Sequence, residues 1–328
     1  MDTDRLSQHA LKLTEEAAIA ASRYVGKGDK NAADQAAVDA MRDRFRSVPI
    51  DGRVVIGEGE KDEAPMLYIG EEVGSASSPR VDIAVDPLEG TTLTAEGSRR
   101  ALCVLAMAPD GSFLHAPDVY MMKLAVGAQA RGAIDIEDDF AINVERVADA
   151  KNKELSSLTC VLLDRDRNRE YIETLRELDC RVRLIDHGDI SAALSACVPE
   201  TEVDLLAGIG NSAEGVLSAA AIQCFDGDFE AQLNPIGDSQ HERLDDIGIE
   251  DHEKTYSIDD LAEGEDVVFS CTGVTEGDFL DGVHVLEDEI YTESLLITSD
   301  NVRRTVSSRF TSLEQFENDN QPPLPGVI

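Results

Sequence analysis

The chain has 328 residues, enough for about two domains that each bury a core without disulfides or a structural metal. Its 66 Asp and Glu residues against 29 Lys and Arg give a formal net charge of -37. Such a surface repels nucleic acid and anionic membranes, and no apolar run approaches the roughly 18 residues of a membrane span. The first residues also lack the basic and apolar segments of a secretory signal. A cytoplasmic protein without nucleic-acid or membrane partners is therefore expected.

The excess of acidic residues suggests a salt-rich cytoplasm. Self-repulsion on this scale destabilises a fold at low ionic strength, whereas molar salt screens charges within about 3 Å. We therefore expect a halophilic archaeal origin, and an ordinary acidic protein is the alternative. The six cysteines are widely spaced, without a CxxC pair, and several lie in apolar runs. They are expected to be buried, reduced thiols rather than zinc ligands or disulfides.

Hydrophobic periodicity predicts two amphipathic helices at the N-terminus, over residues 4–25 and 31–46. Short apolar runs then predict four strands of a mixed sheet, at residues 54–56, 81–85, 101–106 and 124–126. From about residue 158 strands and helices alternate, which predicts an α/β lobe with parallel neighbouring strands. The predicted strands there are 159–163, 182–185 and 205–209, and the helices begin near Arg167, Asp189 and Ala213.

The remainder of the chain is less regular. Residues 237–266 are acidic and interrupted by glycines, so they are predicted to be a surface excursion rather than part of the core. Three further strands are predicted at residues 267–271, 295–298 and 302–307, where they would complete the sheets.

The segment Asp86-Pro87-Leu88-Glu89-Gly90-Thr91 follows the predicted strand 81–85, at the end of a strand where α/β proteins usually place their chemistry. Pro87 fixes φ and Gly90 permits a tight turn, so Asp86 and Glu89 are aimed at one point. Thr91 would lie near a helix start, where backbone N–H groups suit a phosphate. A proline turn with exposed acids is the alternative.

Two more acidic groups follow predicted strands. Glu58, Glu60 and Asp62 come after the strand 54–56, and Glu214 follows the strand 205–209. If these carboxylates converge with Asp86, each pair at about 4 Å costs on the order of 4 kcal/mol at an effective dielectric of 20, so they would protonate or bind cations. Oxygen ligands select Mg²⁺ or Mn²⁺ over zinc, and that choice points to phosphoryl chemistry.

Several long motifs, in order along nearly the whole chain, closely resemble the class II fructose-1,6-bisphosphatases. These belong to the lithium-sensitive phosphatase superfamily, which includes the inositol monophosphatases. The motifs are Gly28-Asp29-Lys30-Asn31, Val55-Ile56-Gly57-Glu58-Gly59-Glu60, Val81-Asp82-Ile83-Ala84-Val85-Asp86-Pro87-Leu88-Glu89-Gly90-Thr91 and Ala116-Pro117-Asp118-Val119-Tyr120-Met121.

The resemblance implies an α/β (mixed α+β) chain with the two-lobed sugar-phosphatase fold and its layered α-β-α-β-α architecture. The expected division is 1–155 for an N-terminal metal-binding α+β lobe, 156–290 for an α/β substrate lobe, and 291–328 for C-terminal strands that return to complete the sheets.

The resemblance also implies site residues. Two or three Mg²⁺ or Mn²⁺ ions would bind at a metal-binding set consisting of Asp34, Glu58, Asp86, Leu88, Glu89 and Glu214. Thr91 would orient or deprotonate the attacking water, supported by an acidic neighbour, Glu60 or Asp62. The substrate-binding set would consist of Lys30, Glu89, Gly90, Thr91, Tyr120, Arg165, Arg167, His187, Gly188, Asp189 and Asn211.

Several of the substrate residues have a plainer alternative; Tyr120, for example, could hydrogen-bond substrate or simply belong to the core. Arg165 and Arg167 can grip a non-reacting phosphate bidentately, or can form a solvated basic stripe that opens a helix. Asp189 would accept a sugar hydroxyl or merely cap the helix it begins. His187, where many bacterial members have Asp, and Asn211-Ser212-Ala213, in place of a typical Gly-Ala-Pro, depart from the family pattern beside the sugar.

The function expected from the resemblance is hydrolysis of fructose 1,6-bisphosphate to fructose 6-phosphate in gluconeogenesis or glycerol metabolism. Sedoheptulose 1,7-bisphosphate is a possible second substrate, and a homo-oligomer, dimer or tetramer, is expected. The alternatives are an inositol-phosphatase-like enzyme, a non-catalytic sugar-phosphate sensor and a dinucleotide-binding protein. The last alternative is based on Gly208-Ile209-Gly210 with Gly215 after a predicted strand, although the spacing is not the usual GxGxxG.

Overall fold

A computed structural model describes residues 2–58, 67–246, 249, 251, 254–264, 266–287, 289–299 and 303–310. The α-helices of these ranges are α1 Thr3–Ser22, α2 Lys30–Phe45, α3 Thr91–Glu96, α4 Phe140–Ala150, α5 Arg169–Glu177, α6 Asp189–Cys197, α7 Ser212–Gln223, α8 Asp238–Asp246 and α9 Ile258–Leu261. The strands are β1 Asp51–Ile56, β2 Glu72–Val73, β3 Arg80–Glu89, β4 Leu102–Pro109, β5 Tyr120–Val126, β6 Thr159–Leu163, β7 Arg181–Ile185, β8 Leu205–Asn211, β9 Asp228–Leu233, β10 Thr255–Ser257, β11 Val268–Gly273, β12 His284–Leu286, β13 Glu289–Thr298 and β14 Arg303–Phe310.

The described strands form two mixed sheets. The first has the order β12-β13-β11-β4-β3-β1-β2, with β14 paired to β13, and its parallel pair is β1 with β3. The second has the order β10-β9-β5-β8-β6-β7. There β6 runs parallel to both β7 and β8, as the alternation of strands and helices predicts, and β5 runs antiparallel to its neighbours β8 and β9.

Three hydrophobic clusters separate the layers. The first packs α1 and α2 against one face of the first sheet, where β3 contributes Ile83 and Val85. The second lies between the sheets around α6 and α7, and receives Ala84 from β3 because alternate strand residues point to opposite faces. The third packs α4 and α5 on the outer face of the second sheet. The expected layered α-β-α-β-α architecture is confirmed. None of the described helices is long and apolar enough to cross a membrane.

The predicted elements are found near their expected positions, with one clear error. Residues 237–266 were expected to lie on the surface, but their described part contains α8, β10 and α9. Leu244, Tyr256 and Leu261 are buried in the cluster between the sheets. The prediction was wrong because, in the described part of this acidic segment, most of the few apolar residues are buried against the core.

Sheet membership does not change at residues 155 and 290. Strand β5, from the first predicted segment, belongs to the second sheet, whereas β11 and β12, from the second segment, belong to the first sheet. Strands β13 and β14 join the first sheet at β11. The division into three segments stays a prediction.

The six cysteines are free and buried, as predicted from their apolar surroundings. Burial raises the pKa of Cys197 to about 12, so this thiol is protonated near neutral pH and behaves as a small apolar side chain.

Glu15 is a buried acid on the inner face of α1. Its Oε1 accepts a hydrogen bond from Thr292 Oγ1 at 3.2 Å, and burial raises its pKa. A raised carboxyl pKa is neutral for stability below the unfolded pKa and lowers stability as pH rises toward the folded pKa. We therefore expect Glu15→Gln to raise the free energy of unfolding by about 1 kcal/mol at pH 8 and by less toward pH 4. Urea unfolding of both proteins across this range tests it, and an equal difference at every pH would contradict it.

Candidate active site

The segment from Asp86 to Thr91 contains an irregularity in the pairing of the first sheet. Strand β3 continues through Glu89 instead of ending at Val85, but its register on β4 shifts between Asp86 and Glu89. Pro87 has no N–H to donate to the ladder. Gly90 is the N-cap of α3 and has φ +84°, a conformation that favours glycine, and a Cβ there would also lie 2.8 Å from Leu93 Cδ1.

The two acids of this segment are held by backbone N–H groups. Asp86 Oδ1 accepts from the N–H of Leu88 at 3.1 Å. Glu89 is 3% exposed, and it accepts from Ile190 N–H at 2.6 Å and from Ser191 N–H at 3.1 Å. These N–H groups belong to the first turn of α6, so Glu89 links the first sheet to the layer between the sheets.

Further predicted acids lie next to Asp86. Asp34 comes from α2 and Glu58 follows β1, and burial together with the charges of Asp86 and Asp34 raises the pKa of Glu58 to about 9. Burial and then the charges of Glu89 and Glu214 raise the pKa of Asp86. These five acids therefore lie close enough for their charges to act on one another, which is the condition that the sequence left open, and the exposed-turn alternative for residues 86–91 is wrong.

The arrangement fits divalent cations. Asp34 Oδ1 is buried and has no hydrogen-bond partner, as expected of an oxygen atom that serves as a metal ligand. Within the described ranges, no three Asp, Glu, His or Cys side chains already stand where they could hold one ion. Mg²⁺ commonly uses only one or two carboxylates and completes its shell with water and substrate phosphate. Glu60 and Asp62, the predicted acidic neighbours of Thr91, lie outside the described residues.

Lys123 is a buried residue of the site that the sequence interpretation missed. It lies in β5 with its side chain 1% exposed, contacts Asp189 Oδ2, and donates to the carbonyl oxygen of Asn211 at 3.0 Å. Its Nζ is 3.8 Å from Glu214 Oε2. The sequence feature that could have identified this residue is a lysine inside the apolar run 121–126. A charged side chain in a buried strand needs a buried partner, so such a lysine indicates a polar site.

Side-chain packing accounts for the glycines that suggested a dinucleotide-binding turn. Gly208 has φ +119°, and a Cβ there would lie 2.9 Å from Asn168 Oδ1. A Cβ on Gly210 would lie 2.3 Å from Asp189 Oδ2, and one on Gly215 would lie 2.6 Å from Met121 Sδ. The glycines therefore make room for side chains of this chain, which removes the basis of that alternative.

The two predicted phosphate-binding arginines follow β6 and donate hydrogen bonds to backbone oxygens in β8 and just after β7. Arg167 Nε donates to Ile209 O at 2.9 Å, and its guanidinium lies 4.4 Å from the centre of the Tyr120 ring. Arg165 donates to Asp186 O at 2.5 Å. The next arginine, Arg169, is instead exposed and pairs with Asp166. Arg167 is thus a positioned side chain rather than part of a solvated stripe.

The remaining predicted substrate residues surround the starts of α6 and α7. Gly188 is the N-cap of α6, so Asp189 does not cap the helix it begins. His187 is half-buried, and its pKa is lowered by burial and then by Arg165, with Lys30 also contributing. Asn211 caps α7: its Oδ1 accepts a hydrogen bond from Ala213 N–H at 2.8 Å. In turn, Glu214 Oε2 accepts a hydrogen bond from Asn211 N–H at 3.3 Å.

Comparison with known proteins identifies the family of this chain. Residues 4–310 match the family described as bacterial fructose-1,6-bisphosphatase, glpX-encoded. A D-fructose 1,6-bisphosphatase class 2/sedoheptulose 1,7-bisphosphatase from Synechococcus sp. (strain JA-2-3B'a(2-13)) is 42% identical over 97% of this chain and 98% of its own. Fructose-1,6-bisphosphatase 1 class 2 of Escherichia coli (strain K12) is 45% identical over 91% of this chain and 93% of its own. The chain therefore belongs to the glpX-encoded, class II fructose-1,6-bisphosphatase family.

Proposed function

We propose that this chain hydrolyses fructose 1,6-bisphosphate to fructose 6-phosphate and phosphate in gluconeogenesis, and accepts sedoheptulose 1,7-bisphosphate as a second substrate. Family membership supports the reaction class. The observation that carries the proposal is the cluster of interacting acids, together with two arginines whose side chains are held by backbone oxygens. Such a cluster suits a cationic centre for the reacting phosphate, and the arginines suit the phosphate that does not react.

Two or three Mg²⁺ or Mn²⁺ ions are proposed to bind among Asp34, Glu58, Asp86, Glu89 and Glu214, with Leu88 as an additional family position. When bound, the ions would neutralise the charge that develops on the phosphoryl and leaving oxygens. The buried, unpartnered Oδ1 of Asp34 supports this assignment.

The start of α3 is proposed to bind the reacting phosphate and to orient the attacking water. The backbone at Gly90 and Thr91 is proposed to hold the phosphate that is cleaved, since no side chain caps this helix. The Thr91 hydroxyl would orient or deprotonate the attacking water in line with the leaving oxygen. Glu60 or Asp62 is proposed to support Thr91 as the acidic neighbour.

The sugar is proposed to lie between the acids and the arginines. Arg165 and Arg167 would bind the distal phosphate, and Tyr120 would support Arg167 through its ring. Asp189 would accept a sugar hydroxyl. Additional contacts are proposed from Lys30, His187, Gly188 and Asn211.

Phosphate release measured on three substrates tests the function. We expect release from fructose 1,6-bisphosphate and, more slowly, from sedoheptulose 1,7-bisphosphate, in the presence of Mg²⁺ or Mn²⁺ and not in EDTA. A preference for inositol 1-phosphate would support the inositol-phosphatase alternative. If neither bisphosphate released phosphate with either ion, the proposal would be wrong, and a non-catalytic sugar-phosphate sensor would gain support.

We further propose that the chain works in the cytoplasm as a homodimer or homotetramer. Light scattering of the purified protein tests the assembly, and a monomer at working concentrations would contradict it.

A salt-rich cytoplasm is proposed from the net charge of -37. Because molar salt shortens the screening length to about 3 Å, repulsion among the acids should fall steeply with added salt. We therefore expect the melting temperature and the activity to rise from about 0.1 M to molar KCl. The Escherichia coli relative serves as the control in the same series. Equal responses of the two proteins would contradict a halophilic origin.

A further inference from the structure

Lys123 lies at the centre of a buried set of polar contacts. Its ammonium contacts Asp189 Oδ2, donates to the carbonyl oxygen of Asn211 at 3.0 Å and stands 3.8 Å from Glu214 Oε2. A buried ammonium is tolerated only where its charge and its donors are matched by partners. The side-chain exposures of Lys123 and Asp189 are 1% and 5%, so both charged groups are shielded from bulk solvent.

The three partners of Lys123 belong to the starts of two helices. Asp189 is the first residue of α6, Asn211 is the N-cap of α7, and Glu214 lies in the first turn of α7. Lys123 itself lies in β5, which is paired with β8, the strand that leads into α7. The ammonium of Lys123 therefore links the first turns of α6 and α7 to a central strand of the second sheet.

The chain leaves space for this arrangement at Gly210. A Cβ on Gly210 would lie 2.3 Å from Asp189 Oδ2 and 2.7 Å from Lys123 Nζ, whereas real Cβ atoms essentially never approach within 3.0 Å. The φ of Gly210 lies outside the left-handed region, so its backbone conformation does not require glycine. The close approach of the ion pair is the constraint that requires it.

We propose that Lys123 is a positioning residue of the bisphosphatase site. It holds Asp189 in the orientation that binds the sugar and holds Glu214 beside it as a metal ligand, by supplying a fixed positive charge between two adjacent acids. The proposal rests on the proposed function for the roles of Asp189 and Glu214. The position of Lys123 rests only on its own contacts.

Two variants disturb the arrangement in different ways. Lys123→Met removes the charge and keeps a long side chain, and Gly210→Ala keeps every charge but forces the ion pair to move. Lys153→Met is the matched control for the first, because Lys153 contacts the buried Asp204 away from the site and Lys151 can still neutralise that acid. Gly215→Ala is the control for the second, because its Cβ meets the flexible Met121 and stays 3.5 Å from Lys123 Cδ.

The readouts are the KM and kcat for fructose 1,6-bisphosphate and the Kd of Mn²⁺ by calorimetry, which requires no turnover. We expect Lys123→Met and Gly210→Ala to raise KM and the Mn²⁺ Kd by about tenfold or more, with a smaller loss in kcat, and the controls to stay within about twofold. If Lys123→Met does not fold, Gly210→Ala decides. Folded variants whose KM and Kd both stay within about twofold of wild type would overturn the role of Lys123. A wild-type protein that binds Mn²⁺ but releases no phosphate would overturn the proposed function instead.

Discussion

Asp86→Asn is expected to lower kcat/KM by about a hundredfold or more, because charge stabilisation by a bound ion contributes several kcal/mol and each 1.4 kcal/mol is about tenfold in rate. Asn preserves the size of the side chain and can still accept the N–H bond of Leu88. The change therefore removes one ligand charge and little else. Phosphate release with saturating Mg²⁺ or Mn²⁺ measures the effect.

The same variant is expected to be more stable than wild type when metal is absent. Burial and then the charges of Glu89 and Glu214 raise the pKa of Asp86. The ionised group therefore destabilises the folded state increasingly as pH rises from its unfolded pKa of about 4 toward its folded pKa, by about 1.4 kcal/mol for each unit. At pH 8 in EDTA, Asp86→Asn should melt above wild type, and the difference should vanish near pH 4. Added Mn²⁺ should raise the melting temperature of wild type more than that of the variant.

Asp82→Asn is the matched control for this experiment. Asp82 is a second buried acid on β3, 2% exposed, and it accepts the N–H of Gly111 at 2.8 Å and of Phe113 at 3.4 Å. We expect it to lose stability, since it replaces a charge-assisted bond, and to keep wild-type kcat/KM. An active Asp86→Asn, or one less stable than wild type in EDTA at pH 8, would show that the acid cluster is not the metal centre.

The segment from Asp86 to Thr91 was predictable because its chemistry is local. Pro87, Gly90 and the alternation of the preceding residues indicate an irregularity at Asp86–Thr91, which the structure shows as a register shift within β3 rather than the end of the strand. The bonds from Glu89 to the N–H groups of Ile190 and Ser191 join residues about a hundred positions apart. No local pattern encodes a contact of that kind.

Lys123 and the segment 237–266 were missed for two different reasons. The apolar run around Lys123 indicates a strand, but its partners become apparent only once β5 is paired with β8 and both helix starts are in place. In the segment 237–266, a high content of acidic residues does not indicate surface exposure, because acidic residues are frequent throughout the chain. The few apolar residues, such as the buried Leu244, are what indicates that this segment packs against the core.

Arg167→Lys is expected to raise KM for fructose 1,6-bisphosphate by about tenfold to a hundredfold with little change in kcat. Arg167 Nε is already bonded to Ile209 O, and the Tyr120 ring fixes the guanidinium plane, so the terminal nitrogens can form a fork for a phosphate. A lysine has one ammonium and cannot keep the strand contact and grip two phosphate oxygens. Losing a charged hydrogen bond of about 1.5–3 kcal/mol gives the expected range.

The distal phosphate is what distinguishes a role in binding from a general loss of structure. A monophosphate such as p-nitrophenyl phosphate offers only the reacting group, so Arg167→Lys should hydrolyse it at the wild-type rate. Arg169→Lys is the matched control, because Arg169 begins α5 nearby but is exposed and pairs with the exposed Asp166. It should leave both substrates unaffected, since exposed ion pairs contribute little. Equal losses on the bisphosphate and the monophosphate would place Arg167 at the reacting phosphate, and an unchanged KM would remove it from the site.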